Sequence, residues 1–96
     1  MTVEWNIDPK CRLPFLEALW SYARERRRDG AYDWGIFEDP TDESRFIETF
    51  LTDSWLEHLR QHRRVTKADR ISEQAVRRFQ IGEGPKTTHL ISAQDH

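Results

Sequence analysis

The order of elements written into this sequence predicts an α+β fold: a split βαβ, ferredoxin-like sandwich with a four-stranded antiparallel sheet and helices on one face. Three observations carry that expectation. Val3, Trp5 and Ile7 alternate with Glu4 and Asn6, the two-residue period of a half-buried strand. Cys11, Phe15, Leu19, Tyr22 and Ala23 then recur at three- and four-residue steps, which places them on one stripe of a helix. Two aromatic and branched runs, around Trp34 and Phe46, precede a second helical stretch and a last strand. The order is strand, helix, strand, strand, helix pair, strand.

Each boundary has a local reason. Asp8 followed by Pro9 starts the first helix, with a side-chain acceptor ahead of the residue that tolerates the first helical position. Arg24, Arg26, Arg27 and Arg28 suit the negative end of its dipole, and Gly30 supplies a left-handed stop. Tyr32, Trp34 and Ile36 alternate with Asp33, Gly35 and Phe37, and Asp39-Pro40-Thr41-Asp42 makes a turn. A strand over 46–51 puts Phe46, Glu48 and Phe50 on one face and Ile47, Thr49 and Leu51 on the other. Asp53 or Ser54 caps a short helix carrying Trp55, Leu56 and Leu59. Thr66 and Asp69 open another with Ile71, Ala75, Val76 and Phe79. Gly82-Glu83-Gly84-Pro85 breaks that helix, and residues 87–93 form the last strand.

At 96 residues the chain is one domain's worth, 1–96, and its core is thin. Leu, Ile, Val and Phe number 21, so four Trp supply much of the large apolar surface. Small domains of this kind often bury more area by pairing, and a homodimer formed sheet against sheet is expected. One cysteine, Cys11, excludes an internal disulfide framework and a multi-cysteine zinc site. No apolar run is long enough to span a bilayer and no leader follows Met1, so no membrane insertion and a cytoplasmic location are expected.

Charge is unevenly spread. Residues 29–54 carry eight acids against Arg45, whereas residues 55–80 carry seven bases against three acids. Acids interrupt both basic stretches and the formal net charge is −2, so nucleic acid is not the expected partner. The arginines read as solvated helix faces. His58 and His62 lie four apart on one helical face, yet a metal needs a third ligand, for which His89 is the one plausible histidine. A hydrogen-bonded or solvated pair is the simpler reading, with no metal and no cofactor. The chain's aromatics mostly pack as core or interface, but some can wall a cavity for a flat ligand. Asn6, Tyr22, Tyr32, His58 and His62 are the polar groups near enough to orient it.

VEWNIDP, RRRDGAYDWGIFEDP and RFIETFLTDSWLEHLRQHRRVTKADR resemble the cytosolic C-terminal extension of major-facilitator transporters of the transmembrane secretion effector type. That extension in turn resembles the antibiotic biosynthesis monooxygenase family, which implies a dimeric α/β barrel. The chain would be a free-standing version of the extension. The resemblance implies catalytic counterparts in Asn6 and in His58 or His62; Trp34, Phe50 and Trp55 are the expected walls of the pocket, and Tyr22 a further substrate-binding group. Where related enzymes often place a tryptophan near the end of the third strand, this chain has Phe50. Two functions follow from the resemblance. One is a small-molecule-binding domain acting as a cofactor-independent oxygenase of an aromatic or quinol substrate, in which a histidine removes a proton and oxygen attacks the anion. The other is a non-catalytic accessory or regulatory module of an efflux transporter.

Overall fold

The computed structural model describes residues 1–52 and 67–90. Its elements are β1 (Thr2–Asn6), a 3-10 turn (Pro9–Cys11), α1 (Arg12–Arg28), β2 (Tyr32–Asp39), β3 (Asp42–Leu51), α2 (Lys67–Arg77) and β4 (Lys86–Thr88). The strands form one antiparallel sheet in the order β2-β3-β1-β4. With both described helices present, this is the ferredoxin-like α+β arrangement, β1 and β3 being central. The predicted helix pair keeps only its second member in view. The short helix expected after Ser54, with Trp55, His58 and His62, lies outside the described residues.

The entry to α1 follows the expected chemistry. The Asp8 carboxylate accepts from the Lys10 backbone N–H at 3.0 Å, and Pro9 occupies the first helical position. One turn of 3-10 helix precedes the α-helix. At the other end Ala31 N–H reaches the Arg26 carbonyl at 2.8 Å and Gly30 N–H reaches that of Arg27 at 3.0 Å. With Gly30 at φ 101°, these are the paired bonds of a Schellman stop.

Between β2 and β3 the turn is tighter than the sequence reading allowed. Asp39 pairs with Asp42, so β3 begins four residues before Phe46. Local bonds explain the extension. The Asp39 carboxylate accepts from Thr41 N–H at 2.8 Å and from its hydroxyl at 2.7 Å, and Asp42 accepts likewise from Ser44. The bonds from Thr41, reinforced by Arg45, hold the Asp39 carboxyl below its ordinary value.

Two further boundaries are corrected. Strand β4 starts at Lys86 and ends at Thr88 rather than covering 87–93, of which 91–93 lie outside the described residues. Ile71, expected on the packed stripe of α2, is 60% exposed. The packed stripe is Ser72, Val76 and Phe79, at steps of four and three, which leaves Ile71 on the adjoining outer side.

Helices cover the face bearing Val3, Trp5, Phe46, Glu48 and Phe50. Trp5, Phe15 and Phe46 stack as a tilted row, with ring centres 5.7 and 5.3 Å apart, and Phe79 meets Phe15 edge-on at 6.3 Å. The opposite face carries Glu4, Asn6, Arg45, Ile47, Thr49 and Leu51 by strand alternation. Phe37 and Tyr32 join it, because they pair with Ile47 and Leu51. Tyr32 therefore does not share a face with Trp34, as simple alternation predicted. The register shifts between Tyr32 and Gly35, and Asp33 in that stretch has φ 51°. This bulge sends the two aromatics to opposite sides.

Candidate functional site

Among the described residues one acid is fully buried on the helix-covered face: Glu48, on β3 between Phe46 and Phe50. A carboxylate there must meet strong donors or the strand cannot bury it. Four reach it. Arg26 Nε donates to Oε2 at 2.6 Å and Nη2 to Oε1 at 3.2 Å. The Trp34 indole N–H donates to Oε2 at 2.8 Å, and the Trp5 indole N–H reaches Oε1 at 3.3 Å. All four groups only donate, so the geometry suits an ionised Glu48 paired with the Arg26 guanidinium.

Arg26 reaches this position because it continues the buried stripe of α1, four residues after Tyr22 and seven after Leu19. Its guanidinium lies 4.5 Å from the centre of the Tyr22 ring and 4.7 Å from that of Phe50. The cation is thus flanked by π faces as well as by its counter-ion. Arg27 sits 5.9 Å from the centre of the Trp34 ring. Burial pushes the Tyr22 phenol above its ordinary value. Arg26 opposes that shift, while the carboxylates of Glu73, Glu48 and Glu25 add to it. Beside Tyr22, Glu25 Oε1 accepts from the Ser72 hydroxyl at 2.6 Å, linking α1 to α2. Glu25 Oε2 is buried and has no hydrogen-bond partner.

The structure therefore brings three of the expected site residues together: Tyr22 and Phe50 flank Arg26, and Trp34 shares the Glu48 carboxylate with it. Asn6 lies apart, exposed on the far face beside Arg45 in the β1–β3 register. Its backbone N–H donates to Gln80 Oε1 at 2.8 Å, and its carbonyl accepts from Ile81 at 2.7 Å. His58, His62 and Trp55 lie outside the described residues. The sequence reading missed Arg26 and Glu48 as a pair. Their signal was an acid sharing a strand face with two phenylalanines, and an arginine in phase with a buried helical stripe.

Among the described residues no group of three His, Cys, Asp or Glu side chains is placed to hold a metal ion, and no helix is long and apolar enough to cross a membrane. Chemically the cluster fixes geometry: every donor on Trp5, Trp34 and the Nε–Nη2 edge of Arg26 is directed at one acceptor.

Comparison with known proteins adds the family and the fold. Residues 1–96 match the family described as transmembrane secretion effector. No curated protein matches the chain. Among solved structures, an antibiotic biosynthesis monooxygenase candidate from Caulobacter crescentus CB15 superposes with a TM-score of 0.71 at 13% identity, covering 85% of this chain and 77% of its own. A second structure, of an antibiotic biosynthesis monooxygenase, gives 0.74 at 15% identity, covering 98% of this chain and 96% of its own. At these identities the likeness is one of fold.

Proposed function

The chain belongs to the transmembrane secretion effector family, and from that premise we propose that it is a non-catalytic accessory or regulatory module of monooxygenase-like fold, cytoplasmic, acting as a single domain. The observation that carries this reading is the closure of the Glu48 cluster. Trp34 and Arg26, the groups best placed to orient a substrate between sheet and helices, direct their N–H groups at Glu48. Asn6 faces the other side of the sheet. Between sheet and helices the polar groups of Arg26, Trp5 and Trp34 are thus turned on Glu48, which supports a structural role for this cluster.

The module pairs sheet against sheet as a homodimer. Tyr32, Phe37 and Leu51 are 44%, 59% and 48% exposed on the helix-free face, an apolar patch that a second copy would cover.

A second reading is favoured by the unpartnered Glu25 Oε2 beside the Tyr22 phenol. A buried acceptor without a donor is where a small aromatic ligand's hydroxyl can sit, which fits an oxygenase of a quinol. Oxygen uptake with metal-free protein and a panel of hydroquinones and anthrones separates the two. The accessory reading expects no uptake above a protein-free control. Turnover that disappears on replacing His58 and His62 together with Ala would establish the oxygenase instead.

A further inference from the structure

The solvent-facing stripe of α1 touches the cluster only through Arg27, near the Trp34 ring, and has no part in the sheet-to-sheet pairing. Leu13, Glu17, Trp20, Arg24 and Arg27 follow one another at steps of four, three, four and three residues, so they lie in one row along the helix. All five are exposed. Leu13 and Trp20 stand out at 66% and 53%, large apolar side chains on a helix whose opposite stripe already fills the core. Trp20, Arg24 and Arg27 span about 10 Å at 1.5 Å per residue. An exposed tryptophan, a leucine two turns before it and two arginines within two turns after it make the composition of an interfacial helix.

We propose that this row is a docking face for an anionic lipid bilayer, on which α1 lies flat without spanning it. Trp20 and Leu13 enter the headgroup region, and Arg24 and Arg27 meet lipid phosphates. The proposal rests on α1 alone and stands whether or not the accessory reading is right. A second copy fits this face poorly, since a two-fold contact centred on Trp20 would set Arg24 against the second copy's Glu17 but bury Arg27 against its Leu13. Pairing instead with the acidic β2–β3 turn of another copy, at Asp42 and Glu43, would leave Leu13 and Trp20 without an apolar partner. Leu13 argues for lipid over nucleic acid, because an isolated aliphatic side chain gains more from acyl chains than from a phosphate backbone. Glu17 is the one acid in the row and sets a limit on affinity.

The test is co-sedimentation of the full chain with vesicles of phosphatidylglycerol or of phosphatidylcholine, at low and at high salt. Binding to phosphatidylglycerol, released by salt and weak on phosphatidylcholine, is expected. Arg24→Gln/Arg27→Gln should lower partitioning by about tenfold or more. Leu13→Ser/Trp20→Ser should also lower it, and Glu17→Gln should raise it, with circular dichroism unchanged in all three. No binding to phosphatidylglycerol, equal binding to both lipids, or binding indifferent to all three variants would overturn the proposal. So would tighter binding to a single-stranded oligonucleotide that the arginine variant abolishes.

Discussion

Arg26 and Glu48 form an ion pair inside the molecule, with Nε donating to Oε2 at 2.6 Å, the Glu48 side chain fully buried and that of Arg26 16% exposed. Such a pair adds little over a well-packed apolar substitute, yet breaking it leaves a charge stranded. Glu48→Ala is therefore expected to lower stability by about 3–5 kcal/mol. The double variant Arg26→Met/Glu48→Gln removes both charges and keeps an amide oxygen for the two indoles. It should regain roughly half of that loss, because neither charge is left alone. Urea unfolding of the single and double variants measures both values. A double variant no more stable than Glu48→Ala would mean that neither the stranded charge nor the indole bonds account for the loss.

The Tyr22 phenol gives the cluster a pH signature. Its folded value lies above the ordinary 10.0, with burial the largest cause. A raised value means that the protonated form is the one the fold accommodates. Its contribution to stability is complete below pH 10.0 and is lost as pH rises through the higher folded value. Alkaline unfolding of Tyr22→Phe should accordingly start at higher pH than that of the parent. In a spectrophotometric titration, the phenolate step missing from Tyr22→Phe should be centred above 10.0.

Pairing through the helix-free face predicts a separable phenotype. Phe37→Glu with Leu51→Glu puts two like charges per copy into the shared patch, and desolvating them opposes association. Sedimentation at micromolar concentration should find a dimer for the parent and a monomer for the variant, with far-ultraviolet circular dichroism unchanged. A parent that sediments as a stable monomer would remove the dimer.

At the end of α1, Gly30 holds φ 101° while its N–H and that of Ala31 close the helix. A Cβ there costs about 1–2 kcal/mol. Gly30→Ala should show a loss of that size in urea unfolding, with no change in oligomeric state.

Much of this architecture was legible because it is encoded locally. Asp8-Pro9, the Phe15–Leu19–Ala23 stripe, Gly30 and the Phe46–Glu48–Phe50 face each follow from neighbours within one turn or one strand. The extension of β3 back to Asp42 was not, because it depends on Asp39 and Asp42 each satisfying a turn donor on its own side of the hairpin. The Arg26–Glu48 pair was not legible either. Glu48 shares a face with two phenylalanines and Arg26 is in phase with the α1 stripe, but only the packing of α1 over β3 makes them partners. Asn6 was chosen on the resemblance and on its place in β1, yet the alternation that buries Val3 and Trp5 turns Asn6 outward.

In β2 the bulge has a consequence for how the chain can vary. Asp33 and Trp34 together oppose Phe50, so β2 spends one residue more than its neighbour over the same length of ladder. Deleting Asp33 would restore a strict two-residue period with Tyr32 still opposite Leu51 and Trp34 opposite Phe50, so each aromatic would keep its present face. The Trp34 indole would stay on the side of Glu48 and Tyr32 on the outer face. Point substitutions in this stretch alter one surface at a time. The loss of one residue here is absorbed by the bulge itself, so the spelling of each face is kept while the count changes.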